Sequence, residues 1–268
     1  WIRAWRQAYG DTVLAGLLES LDGAPPAYIR VNTCATTTEE FCKVLGEQNI
    51  CYAVIDALPD ALQVSPASAL HTLPSDMAEH FYFQDLASQW CCRALDAQPG
   101  ERVADLCAAP GGKTTQIAGR MAGEGFLLCN EYSPKRAKIL SRNIERMGVS
   151  NALVTNETVE NLAKRYPGFF DRVLVDAPCS GEGMFRKEEA AVTDWSVETV
   201  QMCARRQAEI LHSGAQMLRP GGRLVYSTCT FAPEENEHAV AAFLERNPQF
   251  TLETAVAPWF TPAGEGQF

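Results

Sequence analysis

From about residue 81 onward the chain alternates short apolar runs with longer segments of helical period, and few folds satisfy that alternation. The runs fall at 102–106, 125–130, 152–156, 172–175 and 222–227, and each reads as a strand covered on both faces. Helical segments follow at 113–121, 134–147, 197–218 and 233–246. A strand, a helix and another strand in succession place the two strands parallel, so the pattern predicts a doubly wound α/β sheet over 76–268. The stretch Leu218-Arg-Pro-Gly-Gly-Arg223 reads as a helix stop with a hairpin-like reversal, and a sixth strand is expected near 250–256. Residues 1–75 have a different rhythm: a helix at 5–21, a strand at 28–31, a helix at 37–47 and a strand-like stretch at 51–55. They predict a small, separate α+β domain. Thr36 and Glu39 have capping-box spacing at the start of its second helix.

Several classes are excluded early. No run of 18 apolar residues and no basic-then-apolar leader occurs, so no membrane span or export is expected and the chain reads as cytoplasmic. Ten cysteines in a long chain of this kind read as reduced thiols rather than a disulfide framework. No C-x-x-C pair is present, so no metal site is expected. The net charge of −10 argues against indiscriminate nucleic-acid binding, but it is unevenly spread. Residues 1–98 carry 5 basic against 12 acidic side chains, whereas 99–268 carry 18 against 21. In the second part Lys135, Arg136, Lys138, Arg142 and Arg146 share one predicted helix, and Arg186–Lys187 and Arg205–Arg206 form further pairs. Such clusters read either as a local basic surface or as a solvated helix face.

In an open α/β sheet, ligands bind outside the carboxyl ends of the strands. Asp105-Leu-Cys-Ala-Ala-Pro-Gly-Gly-Lys-Thr114 lies there, after the first strand, and its small residues let a ligand approach the backbone. It is not a P-loop, because Cys107 stands where the first glycine is required. Nor is it a G-x-G-x-x-G turn, since only Gly111 and Gly112 are present. Glu131 ends the second strand 20 positions after Gly111, the interval at which such folds hold ribose hydroxyls with a carboxylate, so an adenosine-type cofactor fits. Asp176 ends the fourth strand beside it; capping the next turn is its bland alternative. Two cysteines, Cys179 and Cys229, follow the fourth and fifth strands. Neighbouring strands lie about 4.8 Å apart, so both thiols can face one pocket. Free cysteines are usually buried and structural, and strand-end placement argues against that here.

Asp105 to Thr114, Asp-Ala-Pro-Cys-Ser-Gly-Glu-Gly-Met-Phe-Arg-Lys at 176–187, Tyr-Ser-Thr-Cys-Thr-Phe-Ala-Pro-Glu-Glu-Asn at 226–236 and Phe-Gln-Asp-Leu-Ala-Ser at 83–88 resemble the signature motifs of the Nop/Sun RNA 5-methylcytosine methyltransferases. Gly-Glu-Gly-Met-Phe-Arg-Lys at 181–187 looks closest to bacterial members acting on 16S rRNA. The resemblance implies a Rossmann-like S-adenosylmethionine-dependent sheet preceded by a small N-terminal α+β domain that orients RNA, with more of the family's domain beyond Phe268. It implies S-adenosylmethionine held by Cys107, Ala108, Ala109, Pro110, Gly111, Gly112, Lys113, Glu131 and Asp176. It also implies a contact near Asn156, where many members carry Asp. It assigns Cys229 as the attacking thiol and Cys179 as the thiol needed for release; position alone leaves them unranked. Asp176 would stabilise the adduct at N3 of the base.

The chemistry suits these groups. C5 of cytosine is a poor nucleophile, and a thiolate added to C6 makes it an enamine-like carbon. A base must then remove the C5 proton. The target must leave its stack, which single-stranded or looped RNA allows at lower cost. Arg186, Lys187, Arg205 and Arg206 would follow the phosphates of that RNA. Within the same chemistry, tRNA or 23S rRNA is the alternative substrate, and DNA is disfavoured because its usual nucleophile motif is Pro-Cys alone. A noncatalytic RNA-binding or ribosome assembly factor is the rival of another class.

Overall fold

A computed structural model of the protein describes residues 1–21 and 26–254. Helix α1 (Ile2–Leu21), kinked at Gly10, leads into strand β1 (Ala27–Val31), α2 (Thr38–Glu47), β2 (Cys51–Ile55), β3 (Leu58–Ser65) and β4 (Phe81–Phe83). These strands form an antiparallel sheet in the order β2-β3-β1-β4. Its period-2 faces divide cleanly. Ile29, Val31, Leu62 and Val64 point into a core with Phe41 and Leu45 of α2, while Arg30, paired across the ladder with Ala61 and Tyr82, points the other way. Because β4 pairs with β1, this sheet runs to Phe83 and does not stop at residue 75. The capping box of α2 is also one residue later than expected. Thr37 Oγ1 accepts from Glu40 N at 3.2 Å and Glu40 Oε2 accepts from Thr37 N at 3.1 Å. Three successive threonines before two glutamates offer both registers, and the Phe41–Leu45 stripe selects the one that faces the sheet.

The second sheet comprises β5 (Arg102–Asp105), β6 (Phe126–Asn130), β7 (Ala152–Thr155), β8 (Phe170–Asp176) and β9 (Leu218–Ser227), all parallel, in the order β7-β6-β5-β8-β9. The helices are α3 (Leu86–Leu95), α4 (Gly112–Met121), α5 (Pro134–Arg146), α6 (Val159–Arg165), α7 (Glu189–Thr193), α8 (Val197–Met217) and α9 (Glu237–Arg246). Val103, Leu127 and Leu174 pack with α3, α4 and α5 on one face; Ala104, Leu128, Val173 and Val175 pack with α6 and α8 on the other. The sheet is therefore doubly wound, as the apolar runs require. Chain order reverses direction at the β5/β8 boundary, the switch point at which such sheets open a crevice.

Three local expectations are corrected. The 218–223 stretch is not a reversal: it lies within β9 as an irregularity, with Phe170 and Arg172 of β8 facing Leu218 and Arg223. The helix expected over 233–246 is split into a 3-10 turn at Pro233–Glu235 and α9, because Glu235 and Asn236 turn inward to hold loops of the site. Residues 250–254 form no strand, and the rest of the sixth-strand expectation lies outside the described residues.

Candidate active site

The loops after β5, β8 and β9 and the residue after β6 meet at the carboxyl edge of the sheet. Backbone bonds stitch the strand ends: Ala108 N to Asn130 O at 2.8 Å, Glu131 N to Thr155 O at 3.0 Å and Ala177 N to Ser227 O at 2.8 Å. The turn 105–113 passes through Gly111 at φ 114°, a left-handed conformation that a side chain resists, and a Cβ there would also lie 3.2 Å from Leu140. α5 braces this turn from outside: Arg136 Nη2 donates to Ala109 O at 2.7 Å and Asn143 Nδ2 to Pro110 O at 2.8 Å.

Three carboxylates, Asp105, Asp176 and Glu131, act electrostatically on Cys107, whose thiol is pushed up by burial first and by these anions next. The pocket wall thus carries three carboxylates, two of which, Asp176 and Glu131, are paired with Lys113 and Arg136. Glu131 is buried at the end of β6, where it accepts from Ser133 N at 2.8 Å and pairs with Arg136 at 3.4 Å. Burial pushes Asp105 up to about 7 despite a 2.7 Å bond from Thr114, and its Oδ1 has no partner. Ala108, Ala109, Pro110 and Gly112 complete the turn as small residues. Asn156 is exposed, and its amide is spent on the backbone: Nδ2 donates to Glu131 O at 2.6 Å and Tyr132 O at 2.8 Å. It steadies the loop that carries Glu131.

At the switch point Lys113 Nζ pairs with Asp176 Oδ2 at 2.8 Å, and Ser227 Oγ donates to Asp176 Oδ1 at 2.8 Å. Burial works against the Lys113 ammonium, but Asp176 and Cys91 more than offset it, so Lys113 stays charged. Beside this pair the two strand-end thiols meet, with Cys179 Sγ 3.2 Å from Cys229 Sγ and accepting from Cys229 N at 3.3 Å. The Cys179 thiol donating to Cys229 holds the Cys229 pKa below its ordinary value, helped by Lys113 against burial and Asp176. The same contact, then burial, pushes Cys179 up. The arrangement favours a thiolate on the exposed Cys229 and a proton on Cys179.

Sequence reasoning did not single out what holds the thiols together. Glu182 and Glu235 are both buried. Glu182 accepts from Trp195 Nε1 at 2.9 Å, Thr230 Oγ1 at 3.1 Å and Phe231 N at 2.9 Å. Glu235 accepts from Ser180 N at 3.0 Å and Gln207 Nε2 at 2.7 Å. Each carboxylate ties the loop after β8 to the loop after β9. Gly183 lets the loops close: its N–H donates to Cys229 O at 2.8 Å, where a Cβ would collide at the same distance. Both lie within the 176–187 and 226–236 motifs, but nothing in the sequence marks them off from the other charged and polar residues there.

The basic residues separate. Arg186 donates to Ser20 O at 3.1 Å, and Lys187 pairs with Asp85, so both are engaged within the protein. Arg205 and Arg206 are exposed on α8. On α5, Arg136 and Arg146 bond to protein carbonyls, while Lys135, Lys138 and Arg142 stand exposed.

The family model described as 16S rRNA methyltransferase RsmB/F matches residues 92–266, well over half of the chain. The chain belongs to that family. A second model, the ferredoxin-like domain of RsmF/B-like methyltransferases, matches residues 1–71, which hold α1, α2 and strands β1 to β3 of the first sheet but not β4. Among curated relatives, Ribosomal RNA small subunit methyltransferase F of Escherichia coli O127:H6 is 40% identical over 243 residues, covering 88% of this chain and 49% of the relative. The protein of that name from Shigella boydii serotype 18 is 39% identical over the same coverage. The chain thus spans about half the length of these RsmB/F relatives. Among solved structures, PH0851 superposes with a TM-score of 0.91 at 29% identity, covering 99% of this chain and 60% of that one. A methyltransferase homolog protein from Pyrococcus horikoshii superposes at 0.80 with 28% identity, covering 91% and 77%. NSun6 from the same organism, solved with SFG, shares the fold at 0.79 and 21% identity, covering 91% and 86%. Among the described residues, no helix is long and apolar enough to cross a membrane, and no group of His, Cys, Asp or Glu could hold a metal ion.

Proposed function

We propose that this RsmB/F chain transfers a methyl group from S-adenosylmethionine to C5 of a cytosine in RNA, with 16S rRNA as the substrate, in the cytoplasm. The observation that carries this reading is the pair of thiols 3.2 Å apart, of which one is biased to thiolate and the other to thiol, beside Lys113 and Asp176. A hydrolase or a simple methyl acceptor site has no need of two sulfurs. The small-residue turn and the buried Glu131 fit the cofactor: Glu131 would accept from its ribose hydroxyls, and the turn 107–113 would lie against its amino-acid portion. When bound, S-adenosylmethionine supplies an electrophilic methyl group.

The chain's own residues supply the rest. The Cys229 thiolate adds to C6 of cytosine, forming a C–S bond and moving the C5–C6 electron pair toward C5 and N3. A proton taken from solvent and shared between N3 and Asp176 would stabilise that charge, and it returns to solvent when the C5–C6 double bond re-forms. After methylation C5 carries both the methyl group and its original proton. Cys229 is by then bonded to carbon and no longer an anion, so the largest influence retaining the Cys179 proton is gone. Cys179 can then ionise and accept the C5 proton; the electron pair re-forms the C5–C6 double bond and expels the Cys229 thiolate. Incubation with radiolabelled S-adenosylmethionine and 16S rRNA, 23S rRNA or tRNA, followed by nucleoside analysis, tests the reading. Label in 5-methylcytidine from 16S rRNA is expected. Label in another nucleoside would overturn the reaction, and label confined to another RNA would overturn the substrate.

A further inference from the structure

Arg30 is fully buried, yet none of the ion pairs among the described residues involves it. It lies on the face of the first sheet turned away from that sheet's own core, and it reaches the cofactor turn of the second. Its Nε donates to Gln84 Oε1 at 3.0 Å, and its Nη2 donates to Thr115 Oγ1 at 2.8 Å and lies 3.5 Å from Gly112 O. Thr115 Oγ1 in turn donates to Gly111 O at 2.8 Å. Gln84 Nε2 donates to Gln116 Oε1 at 2.9 Å, joining the same strip to α4. Tyr82, opposite Arg30 on β4, closes the seam: a Cβ on Gly112 would come within 3.0 Å of its ring.

A guanidinium whose hydrogen bonds all go to neutral oxygens, with only the Tyr82 ring 5.9 Å away and the Asp60 carboxylate acting beyond ion-pair distance to offset its charge, is an expensive way to fasten two sheets. Taking one charge out of water with no counter-charge at hydrogen-bond distance carries a desolvation penalty that neutral acceptors return only in part. The charge also lies beside the N-terminus of α4, where the helix dipole is already positive. Stability alone does not account for it. What Arg30 does hold is the carbonyl side of Gly111 and Gly112, directly and through Thr115, which orients the backbone at the entrance to α4.

We propose that Arg30 is a positioning residue for the cofactor site, so that the N-terminal sheet is part of the S-adenosylmethionine-binding apparatus and not only a platform for RNA. The inference rests on the cofactor reading above. Calorimetric titration of S-adenosylmethionine into wild type, Arg30→Met, Arg30→Lys and Thr115→Val tests it, with thermal unfolding of each protein alongside. Arg30→Met should weaken binding by about tenfold or more, the equivalent of one charge-assisted hydrogen bond; it also leaves Gln84 Oε1 without its donor and so lowers thermal stability, and the affinity is read at a temperature where the variant is folded. Arg30→Lys should recover part of the affinity, and Thr115→Val should lose it in the same direction by a smaller factor. If Arg30→Met fails to fold, Thr115→Val decides the matter. Folded Arg30→Met or Thr115→Val that binds as tightly as wild type, or Arg30→Lys no better than Arg30→Met, would overturn the inference alone. A wild-type protein that takes up no cofactor would overturn the cofactor reading with it.

Discussion

Around the 105–113 turn the backbone does most of the work and the supports come from outside: Arg136 and Asn143 from α5, Arg30 through Thr115 from the first sheet. The two thiol loops are held from within, by Glu182 and Glu235, each bridging the loop after β8 to the loop after β9. The difference separates two failure modes. Loosening the turn should change how well a ligand is held, whereas loosening a carboxylate should change the distance between the two sulfurs. A buried carboxylate with several donors also leaves those donors orphaned when it is removed, so the thiol half should pay in stability as well as in rate.

The largest effect should follow loss of the sulfur itself. Cys229→Ala should lower methyl transfer by on the order of a thousandfold or more, as removal of a nucleophile does, while cofactor affinity measured by calorimetry stays at wild type. In the wild type, a Cys229 pKa below its ordinary 9.0 makes the thiolate available at lower pH. The rate of adduct formation in a single turnover should therefore begin its rise with pH below 9.0 in the wild type, and that rise should move upward in Cys179→Ala, which lacks the donating thiol.

Glu235→Ala should destabilise the fold by about 2–4 kcal/mol, because Ser180 N and Gln207 Nε2 lose a buried acceptor. Urea unfolding reads this directly, and a cost near zero would show that the loops are held otherwise. On the opposite side, Glu131→Ala should weaken S-adenosylmethionine binding by about 1.5–3 kcal/mol, the scale of hydrogen bonds to a charged group, with catalysis at saturating cofactor much less affected. An unchanged dissociation constant would remove Glu131 from the site. The smallest effect is expected at the 186–187 pair. Each free cation that meets a phosphate contributes about one unit to the salt dependence of RNA binding, but Lys187 is paired with Asp85 and Arg186 is bonded to Ser20 O. Replacing both with alanine should flatten the slope by less than about two units, and a full two-unit change would show that RNA displaces these internal partners.

The parts legible in the sequence were those written in local pattern. The five apolar runs of the second sheet, the small-residue turn, Glu131 at a strand end and both strand-end thiols all lie where period, length and position put them. Strand β3 was missed because Pro59 and Asp60 interrupt its apolar rhythm, and β4 because three residues carry no period. Arg30, Glu182 and Glu235 were missed for a shared reason: a charged residue in sequence reads as solvent-facing, and only the packed fold shows its burial and its partners. Lys187 shows the converse. Its basic pairing was visible, but Asp85, far away in sequence, was not recognisable as its partner.

The two sulfurs provide the most direct test. The chain is incubated with substrate RNA and S-adenosylmethionine, denatured, and run on a gel that separates free protein from protein covalently joined to RNA. If Cys229 attacks C6 and Cys179 takes the C5 proton, Cys179→Ala should accumulate the crosslinked species and Cys229→Ala should form none. A crosslink that persists in Cys229→Ala and is absent from Cys179→Ala would contradict the account and reverse the two roles.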